Sequence, residues 1–496
     1  MVIGRLMASC LSMVQCRPEK DSRPLARWWA IAGLTLLAAT WQLWTPQTEF
    51  PQVPLFGWAE SLPLFVDWLA FGVLLAALMF ATWKPDSRRS WLAFVVSISV
   101  LIVLDQHRLQ PWAWQLLLMA IVYANFQASG GRQSPGLIES DQRPTRVLTP
   151  NGTYFERNGA SHRCCGCDVP REIPAASASP LTKVSAIGLP PPARLLRVLT
   201  ISIYFWSAVS KFDAGFYASH GQTLVEALFQ SVSINAAGWP ASVKWWLAFS
   251  LPLAELFVAV GLCWPRTRRA ALIAATALHV GLILALGPTG LGHRPGVLLW
   301  NIAFIGHDWL LFGARANSSD TPPSLSRWFR AFALRASALE SSIAVVQRPE
   351  NHRGKLGGVG CVSVILFACV WPITGRWGLC DHWLAWSVYS TRIERVGVTL
   401  TDEGVRRLPE SARRLAADGE LWLDRWSLAA LEVPVYPQLR FQFGVVEGLR
   451  QRCGTDNLVE VNVQRSQRDG GAFERLTVEQ FDERSRAFWI NTRPRP

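Results

Sequence analysis

Residues 195–229 read LLRVLTISIYFWSAVSKFDAGFYASHGQTLVEALF. Val198–Val209 is aliphatic and aromatic, broken only by Thr, Ser and Tyr, and it runs directly into Ser210, Lys211, Phe212 and Asp213. That pattern predicts a helix that lies in hydrocarbon for most of its length and ends on a charged pair. Such a pair on a membrane span is either an interfacial anchor or a functional site. The remainder of the chain reads as a bundle built around this helix.

The chain has 496 residues, more than one core needs, so at least two domains are expected. Half of it is hydrophobic and 17% is charged, which is too little charge for a soluble protein of this size. The 25 tryptophans often flank apolar runs, as at Trp28, Trp29, Trp245, Trp246 and Trp377, where amphipathic rings sit at a bilayer surface. The net charge of +13 does not gather on one amphipathic face. It sits in particular loops, so the expected partner is the lipid bilayer and not nucleic acid.

Apolar runs occur at Trp28–Trp44, Leu62–Trp83, Trp91–Leu104, Trp112–Phe126, Leu195–Val209, Trp245–Trp264, Ala270–Leu286, Gly296–Phe312 and Gly357–Ile373. Each approaches the ~20 residues that cross hydrocarbon, which predicts about nine spans. Basic-rich loops (84–89, 127–194, 265–269, 313–356) alternate with basic-poor ones (45–61, 105–111, 213–243, 287–295). The positive-inside rule then places the N-terminus in the cytoplasm and the C-terminus outside an inner, or plasma, membrane. The expected fold is an all-α polytopic membrane bundle with a small α+β extracytoplasmic domain at its C-terminus. Its parts are a cytoplasmic segment 1–27, a bundle 28–312 interrupted by a disordered loop 127–194, a basic loop 313–356, a last span 357–376 and the outer domain 377–496. An amphipathic helix is expected over Leu325–Val345.

In residues 377–496 short alternating runs predict strands at Val396–Leu400, Glu420–Leu423 and Leu458–Val463, with helices at Glu410–Ala417 and Leu439–Arg452. Cys380 and Cys453 both fall there; an oxidising outer compartment permits a disulfide, and two separate thiols fit equally well. Cys164, Cys165 and Cys167 follow His162 in the long loop, but without the paired spacing of a zinc ribbon, so no metal is expected.

Lys211 is the first candidate for chemistry. It can snorkel and pair with Asp213, or its amine can be desolvated enough to serve as a base, since burial lowers a lysine pKa from about 10.4. Glu255 is the carboxylate within the sixth apolar run and can pair with Lys211 or with His279, which lies inside the seventh. Polar groups at that depth face a bundle interior. His107 reads as a water-exposed residue in a turn between two spans. His307 and Asp308 read as interfacial, at the end of the eighth run.

Tyr204–Phe216, YFWSAVSKFDAGF, resembles a stretch of the vitamin K-dependent gamma-carboxylase family, where an apolar helix ends in a Lys-Lys-Leu-Asp-Ala-Asp-Trp type of motif. It resembles also that family's bacterial relatives with the horizontally transferred transmembrane (HTTM) domain and, more loosely, DoxX-like membrane proteins. The resemblance aligns Lys211 with the family's catalytic base and puts Ser210 where the family has a first lysine. It implies catalytic roles for Lys211, Asp213 and His107 and binding roles for Glu255 and His279. It also implies a reduced naphthoquinone of the vitamin K type as cofactor, and quinol-dependent oxygenation with carboxylation of a protein or peptide substrate on the outer side. Against it, the outer domain is much shorter than the family's substrate-binding portion. The alternative expectation is a non-catalytic membrane scaffold or partner-binding module. A transporter is disfavoured by the absence of internal repeats.

Overall fold

The computed structural model describes residues 22–130, 147–148, 154–155, 192–313, 364–377, 379–416, 418–467 and 470–495. The Cys164–Cys167 cluster, the Leu325–Val345 helix, most of loop 127–194 and the start of the last expected span lie outside them. The described part of 131–189 is one short antiparallel pairing, β1 (Val147–Leu148) with β2 (Tyr154–Phe155). The rest forms a second unit.

In that unit the helices are α1 (Arg23–Ala39), α2 (Phe65–Trp83), α3 (Arg88–Leu104), α4 (Pro111–Gly130), α5 (Pro192–Lys211), α6 (Ala214–Ala218), α7 (His220–Ser231), α8 (Ala241–Cys263), α9 (Arg268–Leu286) and α10 (Pro295–Phe312). The expected nine spans are corrected. Among the described residues three helices, α2, α8 and α9, are long and apolar enough to cross a membrane, and a fourth span results if α5 and α6–α7 count as one broken helix. The difference is one of length and polarity. α1 and α3 have 17 residues each, about 25 Å at 1.5 Å per residue, and both begin on arginine. An apolar run of that length also suits a helix buried in protein.

Helix α5 ends where Asp213 turns extended (φ −151°, ψ 134°) and caps α6, its carboxylate accepting from Gly215 N at 2.7 Å. The chain bends by 72° there, so Lys211 sits on the last turn of α5 at the corner. α5 packs along α8, whose Pro252, one turn before Glu255, cannot donate to the Ala248 carbonyl.

A short apolar helix, α11 (Val364–Gly375), leads to the C-terminal part. There β3 (Arg395–Leu400), β4 (Glu420–Trp422), β5 (Leu458–Gln464) and β6 (Phe473–Leu476) form an antiparallel sheet in the order β4-β3-β5-β6. Val396, Val398 and Leu400 share one buried face at strand period, opposite Val461 and Val463. The helices are α12 (Asp402–Arg407), α13 (Glu410–Arg413), α14 (Leu423–Ala430), α15 (Leu439–Cys453) and α16 (Val478–Arg486). The helix expected over Glu410–Ala417 shrinks to the single turn α13, and β6, α12, α14 and α16 are additions. Cys380 and Cys453 are separate buried thiols.

The sheet-bearing part is bound tightly to one end of the bundle. Gly444 and Gly448 lie one turn apart on α15. A Cβ at Gly444 would come 2.6 Å from Val53 Cγ1, and one at Gly448 would come 2.6 Å from Pro51 Cβ. Bare backbone is what lets α15 lie against the chain that enters α2. Arg440 pairs with Asp381 and donates to Gln106 Oε1 at 3.1 Å. Deeper, Asp67 on α2 receives Arg108 Nη1 and Arg495 Nη1, each at 2.7 Å, with all three side chains buried. Arg108 also donates to the Leu43 and Leu101 carbonyls. It is an internal counterion, not a loop charge.

Candidate functional site

The inward face of α5 carries Thr200, Tyr204, Ser207 and Lys211, spaced four, three and four residues apart and so stacked on one side of the helix. Lys211 Nζ lies 2.8 Å from Glu255 Oε1, 3.0 Å from Oε2 and 2.6 Å from Ser207 Oγ, with both charged side chains buried. The lysine therefore pairs with Glu255 across to α8. Asp213 instead serves as the cap of α6.

One turn and more below, the Tyr204 hydroxyl lies 2.7 Å from His279 Nε2 and 2.6 Å from Asp308 Oδ2. His279 Nδ1 meets Asn301 Oδ1 at 2.7 Å, and Asn301 Nδ2 donates to the Val297 carbonyl. That fixes the Asn301 oxygen toward the ring, so His279 Nδ1 carries a proton and Nε2 presents its lone pair to Tyr204. Further along, His307 bridges Thr200 Oγ1 and Trp29 Nε1, both at 2.7 Å. His307 and Asp308 are thus fully buried, correcting the interfacial reading; the α10 turn that holds them faces α1 and α5.

Lys211, Glu255, Tyr204, Ser207 and His279 line one small chamber of about 60 Å³. A larger cavity of about 480 Å³ lies between the bundle and the C-terminal part, and Trp300, Val388 and Tyr389 line both.

His107 stands elsewhere. Asp105 Oδ1 accepts from its backbone N–H, its Nε2 meets the Pro434 carbonyl at 3.0 Å, and its ring packs on Phe50 and Phe441. It is buried, not water-exposed, because the C-terminal part covers the turn. Burial pushes its pKa down to about 4, against the Pro434 carbonyl, which favours the charged form. The structure thus brings Lys211, Glu255 and His279 around one chamber, whose lining includes neither Asp213 nor His107. Sequence reasoning passed over Tyr204, Ser207 and Thr200, whose helical spacing from Lys211 was the available signal.

A family model described as Methylamine utilisation protein MauE matches residues 189–293, less than a quarter of the chain. No curated protein and no solved structure matches. The gamma-carboxylase resemblance is corrected by this finding: the stretch around Lys211 falls within the MauE match, and no HTTM or gamma-carboxylase family matches. A Lys-Phe-Asp after an apolar helix is too short a signal to separate families of membrane bundles. Carboxylation chemistry, and the quinol carried over with it, lose that support. The apolar helices and the match together define a membrane protein. Over residues 189–293 it is similar to MauE.

Proposed function

We propose that the bundle carries an acid–base site, Lys211 with Glu255, that exchanges protons along α5 with Tyr204, His279 and Asp308. The observation that carries this reading is that two acceptors, His279 Nε2 and Asp308 Oδ2, converge on the single proton of the Tyr204 hydroxyl. Both bonds are satisfied only when one further proton resides on Asp308 or on His279. The group is therefore built to hold and pass a proton. It faces Lys211 and Glu255 across a chamber of about 60 Å³, while a single water needs roughly 10–15 Å³. Water can join the two clusters there. A purely structural strut would be close-packed. From Lys211 to Thr200 the polar stripe spans eleven residue steps, about 16 Å along the helix.

The MauE match spans the helices of Lys211, Glu255 and His279. The sheet-bearing part packs on loops 45–61 and 105–111, which carry only Arg108 between them, and loops so poor in basic residues support its lying outside an inner or plasma membrane.

Infrared pH titration of the protein in lipid nanodiscs tests the reading. A titrating carboxyl band that vanishes in Asp308→Asn and moves in Tyr204→Phe is expected, with a Glu255 signal that moves in Lys211→Met. Spectra of Asp308→Asn and Glu255→Gln that match the wild type at every pH would overturn it.

A further inference from the structure

The end of the bundle away from Lys211 gathers positive charge. Arg197 lies fourteen residue steps before Lys211 on α5, about 21 Å along the helix. At that end α5 carries Arg194 and Arg197, and the passage from α8 into α9 carries Arg266, Arg268 and Arg269. The segments 190–197, 263–272 and 309–313, which come together there, contain no Asp or Glu.

Two of these arginines converge. The guanidinium carbon of Arg197 lies 5.8 Å from the centre of the Phe312 ring, and that of Arg268 lies 5.9 Å from it. Arg197 donates Nε and Nη2 to the Leu311 carbonyl at 3.1 and 3.0 Å, which fixes its plane. Arg268 has no such tether. It joins no salt bridge among the described residues, and its Nε, shut off from solvent, has no hydrogen-bond partner among them. A half-buried guanidinium thus sits beside a second one of like charge. The ring face attracts each cation but neutralises neither. An anion at this point relieves the repulsion.

Phosphate is the anion whose oxygens match two planar guanidinium forks. The level in the membrane agrees. Trp264 and Trp309 are exposed at this end, and exposed tryptophan marks the headgroup layer. The basic turn 265–269 assigns this end to the cytoplasmic side, where basic pockets between helices take anionic headgroups.

We propose that Arg197 and Arg268 bind one phosphate group where α5, α9 and α10 meet at the cytoplasmic membrane surface. Phospholipid headgroups and soluble phosphate share this chemistry. The site is separate from the acid–base cluster and does not depend on it.

Native mass spectrometry of the full chain in detergent tests this, with phosphatidic acid as the probe and phosphatidylcholine as the comparison. One phosphatidic acid held about tenfold more tightly than phosphatidylcholine is expected. Arg197→Gln and Arg268→Gln should each remove the preference. Arg266→Gln, exposed on the same turn, should keep it. Arg268→Lys keeps the charge and loses the fork; it should weaken the preference several-fold, and it replaces Arg268→Gln if that variant does not fold. Inorganic phosphate, titrated calorimetrically and then added to the lipid complex, separates the two sources. Phosphate that binds and displaces the lipid supports a soluble ligand, and lipid retention that phosphate leaves untouched supports a headgroup. Equal retention of both lipids without phosphate heat would overturn the proposal, as would a loss in Arg266→Gln as large as that in Arg268→Gln.

Discussion

Lys211 and Glu255 are bound to each other at 2.8 Å from two different helices, α5 and α8, with 6% and 10% of their side chains exposed. Neither has another charged partner in the salt bridges among the described residues. Removing one member leaves the other charged and buried. Lys211→Met is expected to cost roughly 3–5 kcal/mol of stability. The double variant Lys211→Met with Glu255→Leu should recover much of that loss. Thermal unfolding in nanodiscs, arranged as a double-mutant cycle, measures the coupling, and additive losses would contradict it.

Asp67 joins Arg108 of the bundle to Arg495 near the C-terminus. Asp67→Asn leaves two buried guanidinium groups without their counterion. A loss on the order of 3–5 kcal/mol is expected, together with faster proteolysis of the 491–495 segment. Arg495→Leu should expose the segment while leaving Arg108 paired. Limited proteolysis followed by mass spectrometry separates the two.

His107 sets a pH dependence of known sign. Its folded pKa is about 4 and its ordinary value 6.5, so between these the unfolded chain binds the extra proton. Stability from this group is full above about 6.5 and falls as the pH drops toward 4. The loss by pH 4 is on the order of 3 kcal/mol. Asp105 beside it works the other way, since burial raises its carboxyl to about 6 and its contribution falls as pH rises through that value. The measurement is therefore the difference between wild type and His107→Gln across this range: the variant should lose less stability on acidification. Parallel curves would refute the assignment.

Gly448 faces Pro51 with no room for a side chain. Gly448→Val should push α15 off the segment before α2 and cost about 1–3 kcal/mol. The drop in denaturation midpoint should exceed that of Gly470→Val, although Gly470 has φ +84°, because open space surrounds Gly470.

What could be read directly from the chain was local. The apolar run into Lys211 became α5, and the alternation Val396, Val398, Leu400 became β3. Glu255 and His279 were legible as polar groups inside apolar helices. What was not legible depended on distant residues meeting. His107 looked exposed because Pro434, which covers it, is 327 residues away. Arg108 lies in a basic-poor loop by sequence, and only the fold shows it buried against Asp67. Nine spans were expected because an apolar run of 17 residues reads alike whether lipid or protein surrounds it.

The Asp67 arrangement bears on how the chain is made. Arg495 lies 428 residues beyond its carboxylate partner. At about 5–20 residues per second, the interval between the two is roughly 20–90 s. Until Arg495 is made Asp67 has at most Arg108 as its charged partner, and one carboxylate oxygen lacks its own. The Asp67–Arg495 contact therefore forms only after the helices of the bundle have been made, and anything that holds back the 491–495 segment leaves that pairing unmade.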